Sequence, residues 1–335
     1  MTHQPPTSGE RVARYLERTG APPGVQLHEL PGDASTRRYV RVTAPSGHSQ
    51  MLLVHPEPID ADSLPFLNVA RLLDRMGVRV PRVIRCEADL GIVELQDLGD
   101  LTLQQCLVTT PAHERADRYL EAVEIIATIQ HRGRELSSEE YVPFGLAFDV
   151  DKLMSELDFF VDHFLIAARG ASPSPDQRSE LRHALLPLAS MLAAEPRVLC
   201  HRDYHSRNLM VHDDHLYVID FQDARLGPDT YDLVSLLRDS YVDNPSVLIE
   251  QMIDEYLRLT RRGDYADFRR RFDLMSVQRH LKALGTFGYQ STEAGTSRYE
   301  DDIPRTLRYL TSVFDRHAQF DRLRALLSSY VSELA

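Results

Sequence analysis

Apolar and polar positions change their period after residue 100 of this chain. Residues 9–19 carry Val12, Tyr15 and Leu16 on one helical face, which predicts a short amphipathic helix with Ser8 as N-cap. Residues 25–30 and 39–42 then alternate as strands, parted by the polar stretch 31–38. A third strand, 51–54, follows the Pro45-Ser46-Gly47 turn. A helix is expected over 64–76, with Phe66, Leu67, Ala70, Leu72 and Leu73 apolar. Strands at 82–84 and 91–95 complete a strand-rich region that runs into a hinge-like segment, 96–100.

Beyond it the spacing turns helical. Helices are expected over 112–131, 150–169 and 176–194, with Ser172-Pro173-Ser174-Pro175 as a loop before the third. Four more follow at 232–241, 245–261, 264–285 and 303–332, and no internal repeat is present. A small antiparallel β lobe over 1–98 and a larger, mainly helical lobe over 99–335 make an α+β chain. That is the bilobal organisation of protein-kinase-like folds.

Polar residues concentrate where the second lobe would carry its chemistry. His201-Arg202-Asp203-Tyr204-His205-Ser206-Arg207-Asn208 places an Asp and an Asn in one loop, and Asp220 follows after a strand-turn-strand pattern. That pattern predicts a hairpin whose open end would set Asn208 and Asp220 side by side. Two oxygen ligands at this spacing suit Mg²⁺, and a carboxylate at Asp203 would orient and deprotonate an attacking hydroxyl. Together they point to phosphoryl transfer from ATP, with Mg²⁺ required. After Asp220-Phe221 come Gln222-Asp223, and Asp232 soon opens a helix, which leaves no room for a peptide-docking activation segment. The acceptor is therefore expected to be a small molecule. His201 reads as a structural residue, and Asp232 as the cap of its helix and a brace for the loop.

Composition narrows the setting. The 335 residues are 43% hydrophobic and carry a net charge of −12, which argues against nucleic-acid binding. No apolar run approaches the ~20 residues of a membrane span, and the N-terminus lacks signal-peptide character. Cys86, Cys106 and Cys200 are scattered and read as free thiols. A cytoplasmic monomer or small homo-oligomer is expected.

Lys152 and Lys282 are the only lysines, so the β lobe has none. Many kinases hold the nucleotide phosphates with a strand lysine paired to a helix glutamate. Here the strand reads Met51 to His55, and Asn68 stands in mid-helix. Loss of both partners suggests a different phosphate clamp, or else a pseudokinase that only binds nucleotide. The clamp is expected around Gly32, Ser35 and Thr36, with Arg37 or Arg38 taking the lysine's part and Arg41 nearby. Adenine is expected on the hinge backbone from Glu94 through Gln96 to Leu98.

The strings His201-Arg202-Asp203 to Asn208, Ile219-Asp220-Phe221 and Gly227-Pro228-Asp229-Thr230-Tyr231-Asp232-Leu233 resemble the aminoglycoside-phosphotransferase-like superfamily. Asp33-Ala34-Ser35-Thr36-Arg37-Arg38-Tyr39, Ile219 to Pro228 and Gln278-Arg279-His280-Leu281-Lys282-Ala283-Leu284-Gly285 resemble one branch of it, the bacterial N-acetylmuramate/N-acetylglucosamine anomeric kinases. The resemblance implies transfer of the ATP γ-phosphate to the C1 hydroxyl of an amino sugar in cell-wall recycling. Sugar contacts are expected from His205 within the loop, from Gln222, Asp223 and Arg225 just after Asp220, and from Arg279, His280 and Lys282 on one helix. An aminoglycoside or other small-alcohol phosphotransferase of the same fold is the alternative.

Overall fold

A computed structural model describes residues 7–30 and 37–335, the side chain of Ala112 apart. The chain divides into two compact units, one of residues 1–101 with 210–222 and the other of 102–209 with 223–335.

The first unit opens with α1 (Ser8–Thr19), which is capped by Thr7 rather than Ser8. The Thr7 hydroxyl accepts the Glu10 N–H, and the Glu10 carboxylate takes the Thr7 N–H at 2.7 Å, so two otherwise unpaired donors are satisfied together. Strands β1 (Gln26–Glu29), β2 (Arg38–Thr43), β3 (Ser49–Val54), β4 (Val83–Glu87) and β5 (Ile92–Gln96) form one antiparallel sheet in the order β1-β2-β3-β5-β4. Helix α2 (Pro65–Arg75) starts on its proline. In β3 and β5 successive residues are buried, so both sheet faces are covered. Val12 and Tyr15 pack on one face with Val42, Leu52, Val54 and Ile92. Buried Arg11 fastens that contact by donating to the carbonyls of Leu90 (2.9 Å) and His55 (2.6 Å). Gly91 must be glycine: its φ is 64°, and a Cβ would meet the Glu57 carbonyl and the Arg11 guanidinium.

The second unit holds α3 (Leu103–Thr109), α4 (Ala112–Glu135), α5 (Val150–Phe160), its π-helical continuation Val161–Ala168, α6 (Pro175–Ala193) and β6 (Arg197–Cys200). The chain then crosses to the first unit for the hairpin of β7 (Leu209–His212) and β8 (His215–Val218). Asp213 and Asp214 turn it with φ of 49° and 63°, the positive pair a two-residue hairpin turn requires. A single boundary after residue 98 places this hairpin in the helical lobe. Its bonds run the other way: Val211 N–H donates to Leu101 and Val218 N–H to Arg79, both at 2.8 Å, and Phe221 stacks on Phe66.

The rest of the second unit is β9 (Arg225–Pro228), antiparallel to β6, then α7 (Tyr231–Leu237), α8 (Ser246–Leu259), α9 (Tyr265–Thr292), α10 (Ile303–Phe314) and α11 (Asp321–Ser328). The helix expected over 303–332 is two, because Arg316 and His317 turn inward to the buried carboxylate of Asp273. Strands β6 and β9 and helix α3 have no counterpart in the sequence pattern, being too short to show a period. Among the described residues no helix is long and apolar enough to cross a membrane. The α+β architecture matches the sequence pattern.

Candidate active site

The loop after β6 is shaped by buried acceptors. The Asp232 carboxylate takes the N–H of His201 (2.7 Å) and of Arg202 (3.0 Å). It does not cap α7, so of its two expected roles only the bracing one is present. Asp239 likewise accepts the N–H of Ser206 (2.9 Å) and Tyr241 (2.8 Å). Burial pushes both carboxyls up, while the bonded N–H groups oppose it. The Tyr204 hydroxyl donates to the Ala122 carbonyl, and His201 Nδ1 accepts the Asp203 N–H at 3.3 Å. Arg202 is held at φ 86°, a left-handed conformation that this bonding sustains.

Asp203 is thereby set among cations of its own unit. Lys282 Nζ on α9 donates to its Oδ1 at 2.8 Å, Arg279 approaches the same oxygen at 3.9 Å, and Arg202 Nε lies 3.8 Å from Oδ2. Burial alone would raise this carboxyl, but Lys282, with Arg279 and Arg202, holds it well below the usual carboxylate range. The Asn208 amide donates to the Asp203 carbonyl at 2.9 Å.

Asp203 and Lys282 line a cavity of about 120 Å³ with His205, Tyr241, Thr286 and Phe287. The His205 ring stands edge-on to Tyr241, and burial pushes its pKa down to about 3, so it is neutral. Arg207 lies 3.6 Å over the Tyr241 ring and donates to Gln104, while Phe287 stacks on Tyr299. Ring faces beside charged groups suit a small polyol, whose C–H face is apolar and whose rim is hydroxylated.

The other expected contacts are placed variously. Arg279 donates to the Tyr231 hydroxyl at 2.9 Å and also lines the cavity. Asp223 pairs with Arg202 at 2.8 Å, and Arg225 bonds the Asp223 carbonyl and lies over Phe148; neither lines the cavity. His280 reaches the cavity wall, but its ring nitrogens are taken up by Ser276 and the Arg238 carbonyl. Burial pushes its pKa down to about 3 and keeps it neutral. Tyr241, Thr286 and Phe287 escape a reading of the sequence, since isolated aromatics and hydroxyls carry no spacing signal.

In the first unit Asp220, at φ 62°, accepts a bond from Gln222 Nε2 at 2.9 Å and faces Arg37 at 3.8 Å. Its carboxylate oxygens are donors of the kind Mg²⁺ takes. Arg38 is instead paired with both oxygens of Glu29, and Arg41 with Asp97 and Asp100. Glu94 is not a hinge residue. It lies inside β5 with β3 and β4 on either side, and its buried carboxylate accepts the Tyr15 hydroxyl at 2.6 Å. The Gln96 N–H is bonded to the Arg82 carbonyl at 2.9 Å, so the strand ends there and the linking segment begins after it. Gly32, Ser35 and Thr36 lie outside the described residues.

The profile of the phosphotransferase enzyme family matches residues 26–270. The N-acetylmuramate/N-acetylglucosamine kinase of Neisseria meningitidis serogroup B is 34% identical over 310 residues, 90% of this chain and 89% of that one. Its Pseudomonas aeruginosa counterpart is 33% identical over 319 residues, 93% and 91%. A solved choline/ethanolamine kinase family protein from Mesorhizobium loti superposes with a TM-score of 0.61 at 15% identity, over 94% of this chain and 99% of that one. An ADP-bound aminoglycoside phosphotransferase does so at 0.60 and 14%, over 91% and 98%. At such identities the likeness establishes the fold alone.

Proposed function

The chain belongs to the phosphotransferase enzyme family, and on that premise we propose that it is an ATP-dependent amino-sugar kinase. It transfers the γ-phosphoryl group to the anomeric C1 hydroxyl of N-acetylglucosamine, N-acetylmuramate or both. The reading is carried by Asp203, a carboxylate on the wall of a cavity lined by aromatic rings and polar groups.

In this reading Asp203 takes the proton of the acceptor hydroxyl while that oxygen attacks the γ-phosphorus and ADP leaves. A hemiacetal hydroxyl is more acidic than an ordinary alcohol, so positioning and charge neutralisation carry most of the catalysis. Asn208 and Asp220 are the proposed ligands of Mg²⁺, which when bound would neutralise charge on the phosphate oxygens. Arg37, beside Asp220, is the proposed phosphate contact in place of the strand lysine. The cations around Asp203 disfavour a polycationic aminoglycoside as acceptor. Both sugars are cell-wall constituents, which supports a role in cell-wall recycling, and use of ATP supports a cytoplasmic location.

The test is a coupled ADP-release assay over N-acetylglucosamine, N-acetylmuramate, glucose, galactose and kanamycin. Turnover is expected on the N-acetyl sugars, and Asp203→Asn should lower kcat by about 10²–10⁴ with the fold retained. Turnover confined to kanamycin, or a loss under about tenfold in Asp203→Asn, refutes the reading.

A further inference from the structure

A buried carboxylate of α5 sits among the cations beside Asp203. Glu156 on α5 is 5% exposed. Lys152 reaches its Oε1 at 3.4 Å, Arg202 lies 3.9 Å from the same oxygen, and Gln278 Nε2 donates to Oε2 at 2.9 Å. Lys282 stands close enough to be the strongest single charge acting on it. Burial alone would raise the Glu156 carboxyl, yet Lys282, Lys152 and Arg202 hold it below its ordinary range, so it is ionised. Lys282 is itself 14% exposed at the side chain, and it bonds Asp203 on its other side.

Lys282, Arg279 and Arg202 thus lie around Asp203, which lines the acceptor cavity with Lys282 and Arg279, and Arg202 also links Asp203 to the buried Glu156 behind it. When the acceptor O–H bond breaks and its proton passes to Asp203, that carboxylate loses its charge. The acceptor oxygen forms a bond to the γ-phosphorus, the bond from phosphorus to the β–γ bridging oxygen breaks, and its electron pair leaves with ADP. Negative charge has moved from Asp203 to the phosphorylated sugar, a few ångströms away. An ammonium on a flexible four-carbon stem can follow it, whereas the Asp203 partner it leaves is now neutral.

We propose that Lys282 is a catalytic cation that bonds Asp203 in the resting enzyme and an oxygen of the transferred phosphoryl group as phosphorylation proceeds, with Glu156 a positioning residue that holds the ammonium between them. The inference rests on the sugar-kinase reading and adds to it the side chain that receives the product's charge. The first unit has no lysine among its residues, so this cation enters from the acceptor side.

The experiment uses the full-length enzyme with ATP and Mg²⁺, and begins with wild-type turnover on N-acetylglucosamine and N-acetylmuramate. Absence of wild-type turnover on both refutes the sugar-kinase reading itself, whereas the role of Lys282 is judged on the variants alone. With turnover established on one sugar, Lys282→Met should lower kcat by about 10²-fold or more while the sugar KM stays within about threefold. By titration calorimetry, its affinity for the phosphorylated sugar isolated from the wild-type reaction should fall at least about tenfold, and that for the free sugar should change little. Lys282→Arg should recover part of both losses. Glu156→Gln, which keeps the Gln278 bond, should lower kcat by about tenfold, and combined with Lys282→Met should add nothing further. Equal loss of affinity for sugar and phosphorylated sugar, or a kcat within about threefold of wild type, overturns the inference. If Lys282→Met does not fold by circular dichroism, Lys282→Arg and Glu156→Gln are judged instead, each expected to lose about tenfold in kcat with the sugar KM within about threefold, and a kcat within about threefold of wild type in both overturns the inference.

Discussion

Three arginines flank the segment before β2, and their places in the fold tell them apart: Arg37 is the one beside Asp220, the proposed metal ligand. Arg38 and Arg41 each hold carboxylates through two nitrogens, whereas Arg37 faces Asp220 across 3.8 Å. A phosphate reaching Arg38 or Arg41 would have to displace a bidentate carboxylate, which is costly. Arg37→Ala should therefore raise the KM for ATP about tenfold, a loss of about 1.4 kcal/mol, and leave the sugar KM unchanged. The same change at Arg38 should have less effect, and steady-state kinetics on the two variants would show it; unchanged kinetics in both excludes the clamp. At this scale the loop that carries Asp203 and Asn208 was legible because neighbouring residues encode it. Glu156 and Tyr241 were not, since a buried carboxylate or a lone ring has no local signature.

Helix α9 carries both Arg279 and Lys282, and its position depends on two glycines. A Cβ on Gly285 would stand 2.9 Å from the Phe160 Cα, and one on Gly288 would be 2.6 Å from the His163 carbonyl carbon. Both neighbours are backbone of α5 and its π-helical continuation, so they cannot swing aside. Gly288→Ala should lower stability by about 1–3 kcal/mol through overpacking, read as a fall in Tm. Gly285→Ala should in addition lower kcat, because Lys282 lies one turn away on the displaced helix; an unchanged kcat would separate α9 packing from the chemistry. The long helices were legible from their period. The four-residue strands β6 and β9 were not, although β6 leads into the loop from His201 and β9 pairs with it.

Over the whole molecule the charge is −12, yet the second unit is organised around arginines. Asp273 of α9 is bonded by Arg238, Arg269, Arg316 and His317, tying α9 to the end of α7 and the turn after α10. Burial would raise its carboxyl, but Arg238 and Arg269 foremost hold it at about 2, below the ordinary 3.8. A depressed carboxyl stabilises the fold above its unfolded value, and that stabilisation is lost as pH falls through the folded one. Asp273→Asn should therefore cost about 3–5 kcal/mol at neutral pH, leaving buried Arg238 without its counter-charge. The gap from wild type should stay constant above pH 3.8 and shrink toward pH 2 in urea denaturation; a gap independent of pH would rule this out.

Local spacing alone settled the kinds of element, the loop from His201 to Asn208 and the kinship with small-molecule kinases, because period and motif are properties of neighbouring residues. Tertiary structure decided which groups meet. Lys282 reaches Asp203 across 79 positions of sequence, the Glu94 side chain bonds Tyr15 across the β-rich unit, and the hairpin 210–222 joins the unit its backbone bonds select. Burial and ion pairing act through space, and no one-dimensional pattern carries them.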